Sequence, residues 1–366
     1  NPPLAPSGDN YDERLRLFFV AMTRAKTTLS ISYSARDASD KDMLIASFLS
    51  NIDLAPHQDE TPTVESLTAA SEIDWRGHLT SHIDSSLRDL LAPTLEQYKL
   101  SATHLGNFLD VSQGGPQHFL LNNLLRFPQA KSAHASYGTA IHATLQRAHD
   151  YFRVSGAPKP VEDILGEFER ILKDQHLSEA DFETFYSRGV DALSSFLVHM
   201  YGTFSASQRT ELGFGQQGVV VGKARLTGAL DLVDIDEQAR TIMITDYKTG
   251  RPSRDWTGKT EYEKIKLHKY RQQLMFYQLL VEGSRDYSKY QLTRGVLQFI
   301  EPDPSGEIVS LEQTFTADEL EEFRTLIQAV WQAITTLELP DTSGYDGTIK
   351  GVIAFERDII DKYSNN

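Results

Sequence analysis

The chain has 366 residues, a formal net charge of −15 and no cysteine. Without thiols it can hold no disulfide, thiolate zinc site or iron–sulfur cluster, and its acidic balance argues against a generic polyanion binder, whose footprint is basic. No apolar run approaches the roughly 20 residues of a membrane span and no signal peptide is legible, so a soluble, cytoplasmic protein with no membrane partner is expected. The chain opens at Asn1 in a Pro-rich stretch without an initiator Met and is expected to be part of something longer.

Residues 12–33, DERLRLFFVAMTRAKTTLSISY, read as a helix followed by a strand in which Leu29, Ile31 and Tyr33 alternate. Short helical patterns around 42–49 and 73–91 follow, broken by Ala-Pro and Thr-Pro-Thr, with an acidic connector at 53–63. Ser101 is a candidate N-cap for the next helix, and Pro116 sits in the first turn of another that runs to about Phe127. A helix over 136–152 carries the apolar stripe Ile141, Leu145, Ala148 and Phe152, with His142 beside it and His149 two turns on. Such a lone histidine is more often a core residue than a ligand. Helices over 161–172 and 179–200 look like scaffold, and Glu211 precedes a short strand at 218–222.

The stretch TGALDLVDIDEQARTIMITDYKTG, residues 227–250, holds two apolar runs around the polar break 236–239 and reads as a β-hairpin. If Ile235 and Arg240 close the loop, Asp231 faces Ile244 and Asp246 lies one diagonal step away on the same face, about 7–8 Å off or less. Lys248 projects from that face too. An acid and a lysine two apart are commonly just a solvated sheet face. Here Ile242 and Ile244 make one end of the face apolar, and charges at the edge of a buried face need a partner, for which a divalent metal is one candidate.

Between Lys248 and Arg271 there are eight basic residues against three acids. Gly258-Lys259-Thr260 lacks the glycine a phosphate loop needs at Ser253 and comes too far after its strand, so it reads as a helix start and no ATPase activity is expected of the chain alone. The helix over 259–282 places Gln273 and Tyr277 on one face. A strand at 294–300 completes the sheet, 306–315 can pair with it, and Thr316 with Glu319 forms a capping box for a helix to about Leu337. A last amphipathic helix spans about 350–363.

These motifs carry two resemblances. Asp12, Glu13, Arg14, Leu17, Phe19, Val20, Ala21, Thr23, Arg24 and Ala25 resemble the last helicase motif of UvrD/Rep-type superfamily 1 DNA helicases, in which the arginine at the position of Arg24 reaches the γ-phosphate of ATP. Leu100-Ser101-Ala102-Thr103, Pro116, Phe119, Gly138 with His142, Gly228 with Asp231, Asp246-Tyr247-Lys248-Thr249-Gly250 and Gln273 with Tyr277 resemble the RecB-like nucleases of the PD-(D/E)XK superfamily. Gly115 stands where some relatives have the cysteine of an iron–sulfur staple.

The resemblance implies an α/β fold with a restriction-endonuclease-like core, a small mixed sheet flanked by helices, with additional helices and the remnant of a helicase motor domain. It divides the chain into a motor end (1–35), a helical linker (36–99), the nuclease domain (100–340) and a C-terminal helix (341–366). It implies that His142, Asp231, Asp246 and the carbonyl of Tyr247 hold Mg²⁺ or Mn²⁺, that Asp231, Asp246 and Lys248 are catalytic, that Gln273 and Tyr277 touch DNA, and that Glu211 is a lesser metal candidate. Lys248 near a dication becomes an easier proton acceptor. Arg24 would meet ATP only within the parent helicase. The implied substrate is DNA, with a preference for single strands, in repair or recombination; the rest of the motor and a second helicase–nuclease subunit are the implied protein partners. Two alternatives stay open: a catalytically silent DNA-binding or docking module, and an ATP-driven motor protein to which this part is auxiliary.

Overall fold

The structure, a computed structural model, describes residues 87–127 and 131–364, together with residues 15, 18–20, 22–27, 29 and 31. The chain divides into two units, Leu4–Ser86 and a larger one made of Leu87–Asn366 with Asn1–Pro3. In the smaller unit, Leu15, Phe18, Phe19, Val20 and Met22 are helical, and Arg24 Nε donates to Val20 O at 3.3 Å from an exposed position. Leu29 and Ile31 are not in a strand, contrary to their alternation, while Tyr33 and the helix expected at 42–49 lie outside the described residues.

The larger unit begins with α1 (Leu87–Glu96), of which the part expected from 73 to 86 is outside the described residues. Ser101 caps α2 (Ala102–Leu109) by accepting the His104 N–H. The Pro116 segment is shorter than its pattern: α3 (Gly115–Phe119) passes into a π-turn over Leu120–Leu124. Three helices follow, α4 (Ala133–Ser155), α5 (Val161–Lys173) and α6 (Glu179–Met200), with Ser132 and Ser178 accepting backbone N–H groups at the starts of α4 and α6.

The sheet strands are β1 (Gln208–Gly213), β4 (Ala229–Asp236), β5 (Thr241–Lys248), β6 (Gln291–Phe299) and β7 (Ser310–Gln313), in the order β1-β4-β5-β6-β7. Only β5 and β6 run parallel, because the chain between them makes a crossover through α7 (Glu261–Glu282). The strand expected at 218–222 is a separate two-stranded ribbon of β2 (Val220–Val221) and β3 (Ala224–Arg225), whereas Glu211 lies inside the edge strand β1 rather than before a strand.

The β4–β5 hairpin forms two residues further round than expected, with Asp236 opposite Thr241 and Ile235 opposite Ile242. The cause is local: Asp236 Oδ1 accepts the N–H groups of Gln238 and Ala239 at 2.9 and 2.8 Å, and Arg240 takes a positive φ of 54°. A shift of two preserves side-chain parity, so Asp246 keeps the face shared with Ile242 and Ile244. Asp231 comes opposite it rather than one diagonal away.

Helix α7 lies against β6 and packs with α2, α8 (Ala317–Thr336) and α9 (Ile349–Ser364). Leu274, Phe276 and Leu280 of α7 share one apolar core with Val233, Ile244, Phe299, Ile327 and Phe355. A second core joins α4, α5 and α6 to Leu232, Tyr247 and Ile300. Among the described residues no helix is long and apolar enough to cross a membrane. Helices α5 and α6 meet closely at Gly189, where an added Cβ would stand 2.1 Å from Phe168 Cζ. Gly189→Ala is therefore expected to lower stability by about 1–3 kcal/mol, overpacking outweighing the gain in helix propensity; thermal or urea unfolding measures it.

Candidate active site

The β4–β5 register ends at Leu232 and Thr245. One step on, the Tyr247 N–H donates to Asp231 Oδ2 at 2.9 Å, so a carboxylate takes the place of the ladder partner. The same oxygen lies 3.3 Å from Nδ1 of His142, brought in by α4. On the other side, β1 pairs Thr210 with Leu232 and Leu212 with Leu230 but skips Glu211. Glu211 has a φ of 47°, a conformation that costs a non-glycine residue about 1–3 kcal/mol. His142, Glu211 and Asp231 each offer a ligand atom within 4.8 Å of the others.

Asp246 stands apart from this cluster in its contacts. It is 1% exposed. Its Oδ1 accepts from Gln273 Nε2 at 2.9 Å and from the Tyr277 hydroxyl at 3.0 Å. Its Oδ2 lies 2.6 Å from Lys248 Nζ, and among the described residues no other group donates to that oxygen. Lys248 also donates to Gln273 Oε1 at 2.8 Å and sits 4.3 Å from the centre of the Tyr270 ring. Gln273 thus bridges acid and amine. A cavity of about 250 Å³ opens beside Lys248, between α2 and α7.

The charges feel one another. Burial pushes the Asp246 carboxyl up, with Asp231 adding to the effect against the pull of Lys248. Burial acts the same way on Asp231, but the hydrogen bond and charge of His142 and the Tyr247 N–H outweigh it and hold that carboxyl low. For His142, burial favours the neutral ring, and the Asp231 bond with the Asp231 and Asp246 charges overcomes it, so its pKa is raised. Burial raises Glu211, and Asp231 adds to that. The result is a pocket of excess negative charge, held together by one lysine and one imidazole.

The structure therefore brings together His142, Asp231, Asp246 and Lys248, and adds Glu211 to them. Tyr277 is buried with its hydroxyl on Asp246, and Gln273 is turned inward, so both brace the acid and the amine. The Tyr247 side chain points into the second core, its hydroxyl 2.8 Å from His149 Nε2. His149 is stacked on Phe204 at 3.6 Å between ring centres and is a core residue. A brace invisible in the sequence lies just past Lys248: Glu301 accepts the Gly250 N–H at 3.0 Å, the Tyr137 hydroxyl at 3.2 Å and a forked pair of bonds from Arg188 at 3.0 and 2.8 Å. No local pattern pairs positions 113 residues apart.

The chain matches the family described as the PD-(D/E)XK nuclease superfamily over residues 99–346. It belongs to that superfamily. The mixed sheet flanked by helices is the restriction-endonuclease-like fold expected of such a chain. Among solved structures it is similar to a provisionally assigned exonuclease of Eubacterium rectale, at 13% identity and a TM-score of 0.41, over 70% of this chain and 88% of that one. No curated protein sequence matches it.

His149 gives this superfamily member an acid-sensitive core. Burial lowers its pKa from 6.5 to about 4, so between those values the unfolded chain takes up a proton that the folded chain refuses. Its contribution is complete above pH 6.5 and is lost as pH falls toward 4, by about 3 kcal/mol at full extent. Glu211 and Asp246, raised in the fold, act in the opposite sense in acid. The expected outcome is thus a difference: unfolding followed from pH 7 to 4.5 shows His149→Gln losing less stability than the wild type.

Proposed function

We propose that this chain is a Mg²⁺- or Mn²⁺-dependent deoxyribonuclease domain that hydrolyses phosphodiester bonds, preferentially in single-stranded DNA, as the nuclease part of a helicase–nuclease of DNA repair or recombination. The observation that carries the nuclease reading is the convergence of Asp231, Asp246, Lys248, His142 and Glu211 from four elements at one end of the sheet. The helicase part rests only on the resemblance around Arg24. Within it, Arg24 reaches ATP held by the rest of the motor, and a second helicase–nuclease subunit is the further partner.

The donor set suits a hard or borderline dication: carboxylate oxygens and one imidazole nitrogen, with no thiolate. His142, Asp231 and Glu211 would hold it, and by the resemblance Asp246 and the Tyr247 carbonyl would join them; Asp246 Oδ2 lies 2.6 Å from Lys248 Nζ. What a divalent cation supplies when bound there is neutralisation of the phosphodiester and a lower pKa for the attacking water. The chain's own groups do the rest. Lys248, fixed between Asp246, Gln273 and the Tyr270 ring, is placed to orient the attacking water, and would help deprotonate it only after giving up its own proton. Gln273 and Tyr277 keep Asp246 from turning away, and the site lies at the carboxyl end of β5, beside the opening between α2 and α7.

Asp246→Ala and Lys248→Ala are each expected to lose cleavage of labelled single-stranded DNA in Mg²⁺ or Mn²⁺ by about 10²–10⁴-fold while melting as folded proteins. Cleavage persisting in both would overturn the assignment. Independently, calorimetric titration with Mn²⁺ should show binding weakened in His142→Ala and in Glu211→Gln; unchanged affinity in both would remove these two residues from the metal site.

A further inference from the structure

Helix α7 carries more than the two residues its motif explains. Tyr262, Lys266, Tyr270, Gln273 and Tyr277 recur at helical spacing and occupy one face. The stripe is graded: Tyr277 is 5% exposed beside Asp246, and Tyr262, about 22 Å away along the helix axis, is 74% exposed. Between them, Lys266 Nζ lies 5.5 Å from the Tyr270 ring centre and 6.0 Å from that of Phe299, whose residue is the register partner of Lys248.

Lys266 is half-buried, and among the described residues it has no carboxylate in ion-pair range. The nearby acids are already committed. Glu263 accepts the N–H groups of Lys259 and Thr260 in the capping box, Glu261 holds Lys264 and the Ile349 N–H, and Glu301 holds Arg188. Arg251 and Lys259, lining the adjoining cavity of about 600 Å³, likewise have no ion-pair partner among the described residues. A half-buried cation on an aromatic face, followed by an exposed aromatic one turn outward, matches what a single nucleic-acid strand requires: a phosphate contact and a stacking platform.

We propose that the Tyr262–Lys266–Tyr270 stripe is the track on which single-stranded DNA enters the site, Tyr262 stacking on a base and Lys266 pairing with a backbone phosphate. The inference rests on the nuclease reading above and adds to it the residues that make a strand rather than a duplex the preferred substrate. A duplex hides its base faces and gains nothing from Tyr262.

The test measures binding apart from cleavage. Fluorescence anisotropy of a labelled oligo-dT and of a duplex of equal length, in EDTA, is followed against salt for the full chain. Tyr262→Ala is expected to weaken oligo-dT binding about tenfold, within the range for one stacked base, with duplex binding unmoved and Tyr262→Trp restoring the wild-type value. Lys266→Gln is expected to reduce the slope of log affinity against log salt by about 0.7, one single-strand phosphate contact. Wild-type affinities and slopes in Tyr262→Ala and Lys266→Gln would overturn the track even if the chain cleaves DNA. The expected losses in a chain that fails to cleave would uphold the track and overturn the reaction. Absence of oligo-dT binding by the wild type would overturn the track directly.

Discussion

The carboxylate of Asp246 is nearly sealed from solvent, and a charge in that position is tolerated only when it is paired and hydrogen-bonded. Its partners are Lys248 two residues on and Gln273 with Tyr277 on α7. Satisfying this one acid therefore fixes α7 against β5 to within the tolerance of a hydrogen bond. The constraint propagates outward. Glu356 of α9 takes His268 and Gln272 of α7 at 2.9 and 2.8 Å, and Phe355 and Ile359 bury beside it. The terminal helix thus anchors the element that positions the acid.

The opposing cost is like charge. Asp231, Asp246 and Glu211 gather with one ammonium, that of Lys248, and the His142 imidazole beside them, and Glu211, set opposite Asp231 by the β1–β4 register, holds a left-handed backbone conformation in mid-strand. Folding stability alone would not select this arrangement, since an ordinary strand residue in ladder register would remove both the strain and part of the repulsion. A site that must receive a dication gains from having its negative charge assembled beforehand. The local penalty is offset by the two apolar cores that flank the sheet.

Much of this was legible in the sequence, for reasons that differ by element. The helix ends at Ser101 and Thr316 were readable because a cap is a contact within three residues, and each of these side chains accepts the expected N–H; the start read around Gly258-Lys259-Thr260 is capped by Thr260. The face shared by Asp246 with Ile242 and Ile244 survived a mistaken loop because parity, not register, decides it. Strand β1 was missed: its burial alternates, but Gln208-Arg209-Thr210-Glu211-Leu212-Gly213 has a single large apolar side chain to show that in the sequence. The register on either side of Glu211 sets it opposite Asp231, so the strand that was missed is one that matters to the site. The Arg188–Glu301 brace was beyond reach because it exists only once α6 and the end of β6 have met.

Net charge misleads here for a related reason. A sum of −15 averages over the whole chain, while charges further off than the Debye length, about 8–10 Å at physiological salt, are largely screened. A bound strand is governed by what lies closer. Around the start of α7 the acids are spent on caps and on backbone N–H groups; Glu263 and Glu301 are felt by Lys266 at a distance, but neither forms an ion pair with it. An acidic protein can in this way present a positive path to a polyanion, provided its carboxylates are engaged locally by the fold, and the same first turn of α7 then serves both to start the helix and to leave its lysine without a direct ion-pair partner among the described residues.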